Sequence, residues 1–225
     1  MTYTQKQIVC IPARAGSKRI RSKNLRDFCG KPLIAYAIEN ALNVFEPGII
    51  YVNSDSAQML NLAGSYGVCQ YERDAKLASD ESTGDEFMYD FIKNNDADIC
   101  VMLNPVCPLI KPDDITRALK TFETNDCDTL ISCCNTQMQV FCDKQPVNIN
   151  TNKNLEPTQN NPVVSILNWA VTIWCCRSFK SRYEKHGYAY IGNKRVLFEI
   201  EALRAIKISH EQDFRTAEAI YRSER

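Results

Sequence analysis

Arg14-Ala-Gly-Ser-Lys-Arg-Ile-Arg-Ser-Lys-Asn-Leu-Arg-Asp-Phe-Cys-Gly-Lys31 sets seven basic side chains against one acid within eighteen residues, in a chain whose 27 basic and 27 acidic residues balance overall. Such a local excess of positive charge implies an anion site. The residues before it, 8–11, are apolar, and Pro32 after it opens a helix-period pattern, so the spacing predicts a loop between a first strand and a first helix. In α/β sheets that is where phosphates bind. Gly16 allows close backbone approach and Ser17 offers a hydroxyl and an amide. Arg14, Lys18 and Lys23 bring the cationic charge that a triphosphate of about four negative charges calls for. The G-x-x-x-x-G-K-[ST] spacing of a Walker loop is absent.

Outward from the loop, strand-like and helix-like segments alternate. Strands are expected at 49–52, 68–71, 99–103, 129–133 and 196–200, and helices at 32–42, 57–66, 85–93, from Pro112 onward, and at 211–222. Ser56 is expected to cap the second helix and Gly67 to stop it. Continuous apolar strands between amphipathic helices predict an α/β fold, a Rossmann-like, mostly parallel sheet covered by helices on both faces. Residues 136–195 break this rhythm, with an Asn-rich stretch at 148–161 followed by an apolar run at 166–176. That region reads as an insertion within a single domain, 1–225.

Composition bounds the rest. With 225 residues and 44% hydrophobic content the chain can bury one sizeable core. No apolar run approaches the roughly 18 residues that span a bilayer, and residues 1–7 are too polar for a secretory leader, so a cytoplasmic protein is expected, with neither membrane nor nucleic acid as partner. The eleven cysteines are scattered, odd in number and without a C-x-x-C pair, which favours buried free thiols over disulfides or zinc. His186 and His210 stand alone and read as surface residues.

Several blocks carry a resemblance to a known family. Ile11-Pro-Ala-Arg-Ala-Gly-Ser-Lys18, Lys23-Asn24 and Gly30-Lys-Pro-Leu-Ile34 resemble the opening of the acylneuraminate cytidylyltransferases, the CMP-sialic acid synthetases and their legionaminate and pseudaminate relatives. Asn53-Ser-Asp55, Arg73-Asp-Ala-Lys-Leu-Ala-Ser-Asp80 and Leu103-Asn-Pro-Val-Cys-Pro-Leu109 resemble later blocks in the same order, and the likeness weakens after about residue 135. The resemblance implies a fold of the nucleotide-diphospho-sugar transferase type. It also implies transfer of CMP from CTP to the anomeric hydroxyl of a nonulosonic acid sugar, with release of pyrophosphate. By the same likeness, 136–195 would be an extension that crosses a homodimer and helps to form the partner's sugar site.

Carried over residue by residue, the likeness makes Arg14, Lys18 and Lys23 catalytic cations, with Arg14, Ser17 and Asn24 on the nucleotide. Arg73, Ser79, Asp80 and Ser82 approach the cytosine and ribose, although Ser82 or Asp80 also reads as a helix cap. Asn104 stands where the family commonly has Gln at the sugar pocket, and Asn168-Trp-Ala170 where it has Asn-Gly-Ala, with Asn168 at the substrate and Trp169 read as packing. Val106 and Cys107 replace a Thr-Ser pair, which suggests a less polar acceptor pocket, and Thr158 stands for an arginine. The family's magnesium-holding Asp-x-Asp becomes Lys207 and Ser209, so a magnesium cofactor is expected on the CTP phosphates rather than on the protein. Ser209 with Gln212 reads instead as a capping box. These departures keep open a CTP-dependent enzyme with another acidic acceptor, such as a phosphonate, and a nucleotide-binding homologue without catalysis.

Overall fold

The first apolar run forms β1 (Gln7–Pro12), whose side chains divide between two cores, Val9 and Ile11 into one and Ile8 and Cys10 into the other. A strand buried on both faces has no polar side to show, which is why the run is continuous. In this computed structural model, which describes residues 5–224, most of the polar 1–7 stretch read above as no leader lies outside the described residues. The chain continues through α1 (Leu33–Leu42), β2 (Ile50–Ser54), α2 (Ala57–Ser65), β3 (Cys69–Glu72), α3 (Gly84–Lys93), β4 (Ile99–Leu103) and α4 (Pro112–Thr124). It then forms β5 (Thr129–Thr136), β6 (Val164–Cys175), α5 (Cys176–His186), β7 (Arg195–Glu199) and α6 (Glu211–Ser223).

The seven strands pair in the order β7-β5-β6-β4-β1-β2-β3. All neighbours are parallel except β6, which runs antiparallel to both β4 and β5. Apolar residues of α1, α2, α4 and α6 fill one core, and those of α3 and α5 fill the other. The expected layered sheet is therefore present, with helices on both faces. From β1 the chain runs outward through β2 to β3 and then returns to place β4 on β1's other side. This reversal opens a crevice at the carboxyl ends of β1 and β4, the position where open α/β sheets take ligands.

Local start signals were partly misread. Ser56 caps α2 as expected, its hydroxyl accepting from the Met59 amide at 3.4 Å. For α3 the cap is Thr83, not Ser82 or Asp80: Thr83 Oγ1 accepts from the Glu86 amide at 3.3 Å, and Glu86 accepts from the Thr83 amide at 2.6 Å. For α6 the expected Ser209–Gln212 box gives way to one closed by Asp213, whose carboxylate accepts from the amides of Ser209 (2.8 Å) and His210 (2.7 Å). An ionised oxygen is a stronger acceptor than a glutamine amide, and the register of the helix follows it. His186 and His210 are exposed.

The 136–195 stretch is not an insertion throughout. Its apolar part is β6, the long strand between β4 and β5, with Val171 and Ile173 in one core and Trp174 in the other. Between β5 and β6 only residues 137–163 leave the sheet. There Phe141–Cys142 pairs with Gln145–Pro146, and the buried Asn148 side chain ties the excursion together through Val140, Met138 and Pro162. In β6 the register slips between Leu167 and Thr172, and Trp169 sits at this bulge with φ of 60°. All eleven cysteines are free thiols, shared between the two cores and the partly exposed edges. Among the described residues, no helix is long and apolar enough to cross a membrane.

Candidate active site

The basic loop leaves β1 at Ala13, whose amide donates to the Asn53 carbonyl at 2.9 Å. Two residues on, the Ala15 amide donates to Asp55 Oδ1 at 2.8 Å. The end of β2 thus holds the loop open beside the crevice. Ser17 N donates to the Ala15 carbonyl at 2.9 Å, which closes a tight turn around Gly16. A Cβ at Gly16 would meet no protein atom within 4 Å, so the turn faces open space where a ligand can approach.

Arg14 and Lys18 converge on one carboxylate. Arg14 Nη1 lies 3.0 Å from Asp80 Oδ1, and Lys18 Nζ lies 2.6 Å from Asp80 Oδ2. Arg14 also donates to the Ser79 carbonyl at 3.2 Å. The bond from Lys18, joined by Arg14, holds the Asp80 carboxyl below the usual carboxylate range. Asp80 therefore stands as an anion between the two cations that sequence assigned to a phosphate, not as a helix cap. This arrangement borders a cleft of about 440 Å³ that also includes Gly16, Ser17 and Arg21.

Other expected contacts turn inward. Arg73 is 5% exposed, and its guanidinium donates to Asn53 Oδ1 (2.6 Å) and to the Asn53 carbonyl (3.0 Å) while lying over the Phe87 ring. Burial pulls its pKa down from the ordinary arginine range, but a guanidinium begins so far above neutrality that it stays charged. It locks the end of β2 to the end of β3. Asn24 is buried with its amide toward the Arg14 carbonyl at 3.5 Å, and Ser82 Oγ is buried without a partner. Lys23 donates to the Ile208 carbonyl at 2.8 Å. Burial lowers its pKa, with the neighbouring Arg19 and Lys207 charges adding to the effect.

Beyond Asp80 the same loop leads to a second cleft, of about 790 Å³, at the end of β4. Asn104, Trp169, Tyr190, Arg182, Arg195 and Lys207 line it. The rings of Trp169 and Tyr190 lie 5.1 Å apart and form one wall. Tyr190 is anchored from behind by Trp174, whose Nε1 donates to the Tyr190 carbonyl at 2.9 Å. Glycine at position 84 is required here, because a Cβ would come within 2.8 Å of the Tyr190 ring. Asp85 accepts from the amides of Ala189 and Tyr190, so the cleft's one lining acid is engaged in holding its wall while three cations face it. The composition suits an acidic ligand with an apolar flank.

Three sequence assignments change at this cleft. Asn168 does not face it: Oδ1 accepts from Ser132 Oγ (2.6 Å) and from the Ala170 amide (3.0 Å), so the side chain secures the bulge of β6. Trp169, read as packing, is the residue that the bulge presents to the cleft. Val106 and Cys107 are buried in the core, so their missing hydroxyls do not alter the cleft's polarity. Thr158 lies in a short helical turn on the 137–163 excursion. Arg182, Arg195 and Tyr190 had no signature in the sequence, since they come from α5, β7 and the loop between them and converge only through the topology.

A protein-held magnesium does not fit. Lys207 and Ser209 present an ammonium and a hydroxyl, and among the described residues no group of three or more His, Cys, Asp or Glu side chains is placed to hold a metal. Asp55 and Asp80 nearby are already bonded to the loop. A larger hollow, of about 1360 Å³, opens at the other end of the sheet where β1 and β4 begin, and none of these residues lines it.

Comparison with known proteins accords with this geometry. Over 128 residues the chain is 36% identical to a pseudaminic acid cytidylyltransferase of Campylobacter jejuni, covering 53% of this chain and 54% of the relative. It is 37% identical over 119 residues to a CMP-N,N'-diacetyllegionaminic acid synthase of Legionella pneumophila, covering 50% and 51%. With an N-acylneuraminate cytidylyltransferase of Streptococcus agalactiae it shares 31% over 130 residues, 56% of this chain and 32% of that one. The chain thus spans about half the length, or less, of these curated relatives. Among solved structures, a CMP:2-keto-3-deoxy-manno-octonic acid synthetase complexed with CTP matches with a TM-score of 0.73 at 17% identity, covering 98% of this chain and 100% of that one, a likeness of fold. A family model described as cytidylyltransferase matches residues 8–217, nearly the whole of the sheet and both clefts. With its cationic turn after β1, its crevice at the switch point and this match along its length, the chain belongs to the cytidylyltransferase family.

Proposed function

We propose that this protein transfers CMP from CTP to the anomeric hydroxyl of a nonulosonic acid, a sialic-acid-like sugar, and releases pyrophosphate. The observation that carries the reading is the pair Arg14 and Lys18, held on Asp80 beside a turn that faces open space at Gly16. A triphosphate replaces one carboxylate with several anionic oxygens and takes over both cations. Nucleotidyl transfer makes one bond, from the acceptor oxygen to the α-phosphorus, as the bond to the departing pyrophosphate breaks, pyrophosphate keeps the electron pair and the acceptor hydroxyl gives up its proton to water. Charge moves onto the leaving group, so aligned cations and amides accelerate the step without a nucleophilic side chain. Arg14 and Lys18 would take up that charge, with the Ser17 hydroxyl beside them, and the second cleft offers the acidic acceptor its cations and an aromatic wall. The sugars named in the curated relatives support an acidic acceptor of this class.

Magnesium in this reading arrives on the triphosphate, coordinated by phosphate oxygens and water. The protein works in the cytoplasm as a homodimer. Support for the dimer comes from the 137–163 excursion and the strand after it, where Met138, Phe141, Leu155, Val163 and Ile166 are each more than half exposed, apolar surface that a second copy would cover. The test is pyrophosphate release from CTP with a panel of acceptors: nonulosonic acids, a 3-deoxy-octulosonic acid and simple phosphonates. Turnover with a nonulosonic acid supports the assignment. Turnover with a phosphonate alone would move it to another acidic acceptor, and CTP binding without turnover on any acceptor would favour an inactive homologue.

A further inference from the structure

Lys207 lines the second cleft, lies within electrostatic reach of Lys23 on the basic loop, and has its backbone pinned through the two residues that follow it. The Ile208 amide donates to the Val106 carbonyl at 2.8 Å, and the Ile208 carbonyl accepts from Lys23 Nζ, also at 2.8 Å. Ile208 is fully buried, and the next amide, Ser209, is held by Asp213. This loop between β7 and α6 is thereby fastened to the loop after β4 and to the basic loop. From this fixed stem the ammonium reaches the cleft that Asn104 lines. No carboxylate among the described residues comes within ion-pair distance of it. Its charge is nonetheless felt at Lys23 and at the Cys107 thiol buried behind the cleft.

A surface lysine without an acid partner is ordinary. One anchored through three backbone ties between a phosphate loop and an acidic-ligand cleft is not. Two anions must come into bonding distance there, and a cation at the junction lowers their repulsion. We propose that Lys207 is that cation: a tethered ammonium that bonds to the nucleotide's α-phosphate on the acceptor side and takes the place of a metal held by the protein. The proposal rests on the nucleotidyl-transfer reading above. It makes the side chain at position 207 a catalytic residue and removes the need for carboxylate ligands at 207 and 209.

The experiment is calorimetric titration of CTP, with EDTA and again with magnesium, into the full chain and into Lys207→Met and Lys207→Arg. Wild type binds CTP in EDTA. Lys207→Met loses about tenfold or more of that metal-free affinity and less of the affinity in magnesium, and Lys207→Arg stays within about threefold of wild type, since arginine keeps the charge. With an acceptor present, Lys207→Met lowers kcat by about a hundredfold, the scale of one preorganised charge contact. Metal-free CTP affinity in Lys207→Met equal to wild type overturns the proposal, as does a Lys207→Arg variant as impaired as Lys207→Met. Failure of the wild-type chain to bind CTP in either buffer is a different result, and it overturns the nucleotide reading itself.

Discussion

Trp169 holds a left-handed backbone, φ 60°, at the bulge of β6. For a residue with a Cβ this conformation costs about 1–2 kcal/mol. The ring returns part of it: an aromatic pair such as Trp169 and Tyr190, 5.1 Å apart, contributes about 0.5–1.5 kcal/mol beyond its buried area. Trp169→Gly and Trp169→Ala both delete the ring, so the difference between them isolates the backbone. Glycine escapes the left-handed penalty of about 1–2 kcal/mol but loses about 0.4–1 kcal/mol through its freer unfolded chain. Trp169→Gly should therefore be more stable than Trp169→Ala by about 0.5–1 kcal/mol. At this chain length that separates their thermal midpoints by about 1–4 °C. Paired urea and thermal unfolding curves measure it. If the alanine variant equals or exceeds the glycine variant, position 169 is not left-handed in solution, and the geometry that aims the indole into the cleft is wrong. Both variants should raise the KM for the acceptor while leaving that for CTP unchanged, because the wall belongs to the second cleft alone.

The other predictions concern charge. Lys18→Ala should cut kcat/KM by about 10²–10³ with an unchanged unfolding midpoint, since the ammonium is largely exposed and makes no core contact; wild-type turnover would remove Lys18 from the chemistry. Asp80→Asn should tighten CTP binding severalfold in a calorimetric titration, because the carboxylate competes with the triphosphate for Arg14 and Lys18; weaker binding would mean that Asp80 contacts the nucleotide directly. Asp114, buried at the start of α4, accepts from the Lys111 amide, Arg117 and Arg204. Burial pushes its pKa up, but the Arg204, Lys111 and Arg117 bonds outweigh it, and the net shift is downward. Asp114→Asn should destabilise by about 2–3 kcal/mol at neutral pH, below the full value of a buried pair because both arginines are partly exposed. A carboxyl with a depressed folded pKa stabilises fully above its unfolded value and loses that contribution as pH falls through the folded one. The gap between wild type and Asp114→Asn should thus be constant above about pH 5 and close below about pH 4. A gap that does not narrow at all as pH falls below about 4 would refute the ionic account.

Much of this was legible because local and global signals agree on it. The apolar runs gave six of the seven strands, since parallel strands buried on both faces leave no ambiguity of period. The basic loop was legible because charge density is a property of sequence alone. Strand β6 was hidden by its preface: the Asn-rich residues before it mark an excursion, and nothing local says that the chain then returns to the middle of the sheet. The first cleft could be read because Arg14, Ser17 and Lys18 are neighbours in the chain. Of the second only Asn104 was legible, through the resemblance, since Trp169, Arg182, Tyr190, Arg195 and Lys207 are gathered to it from distant parts of the chain by strand order. Asn168 shows the limit of reading by position, for the amide sits where expected but faces Ser132.

The thiols give the fold a chemical clock. Cys10, Cys100 and Cys176 are sealed in the layer beneath α3 and α5, Cys107 lies on the opposite side, and Cys142 alone is exposed. Burial pushes Cys10, Cys107 and Cys176 up to about 12, so none of the three offers a thiolate to an alkylating reagent while the molecule is closed. Pulsed alkylation read by mass spectrometry would mark Cys142 at once, the half-buried thiols more slowly, and Cys10, Cys100, Cys107 and Cys176 only when their own layer parts. The order of labelling would then record which half of the sandwich loosens first.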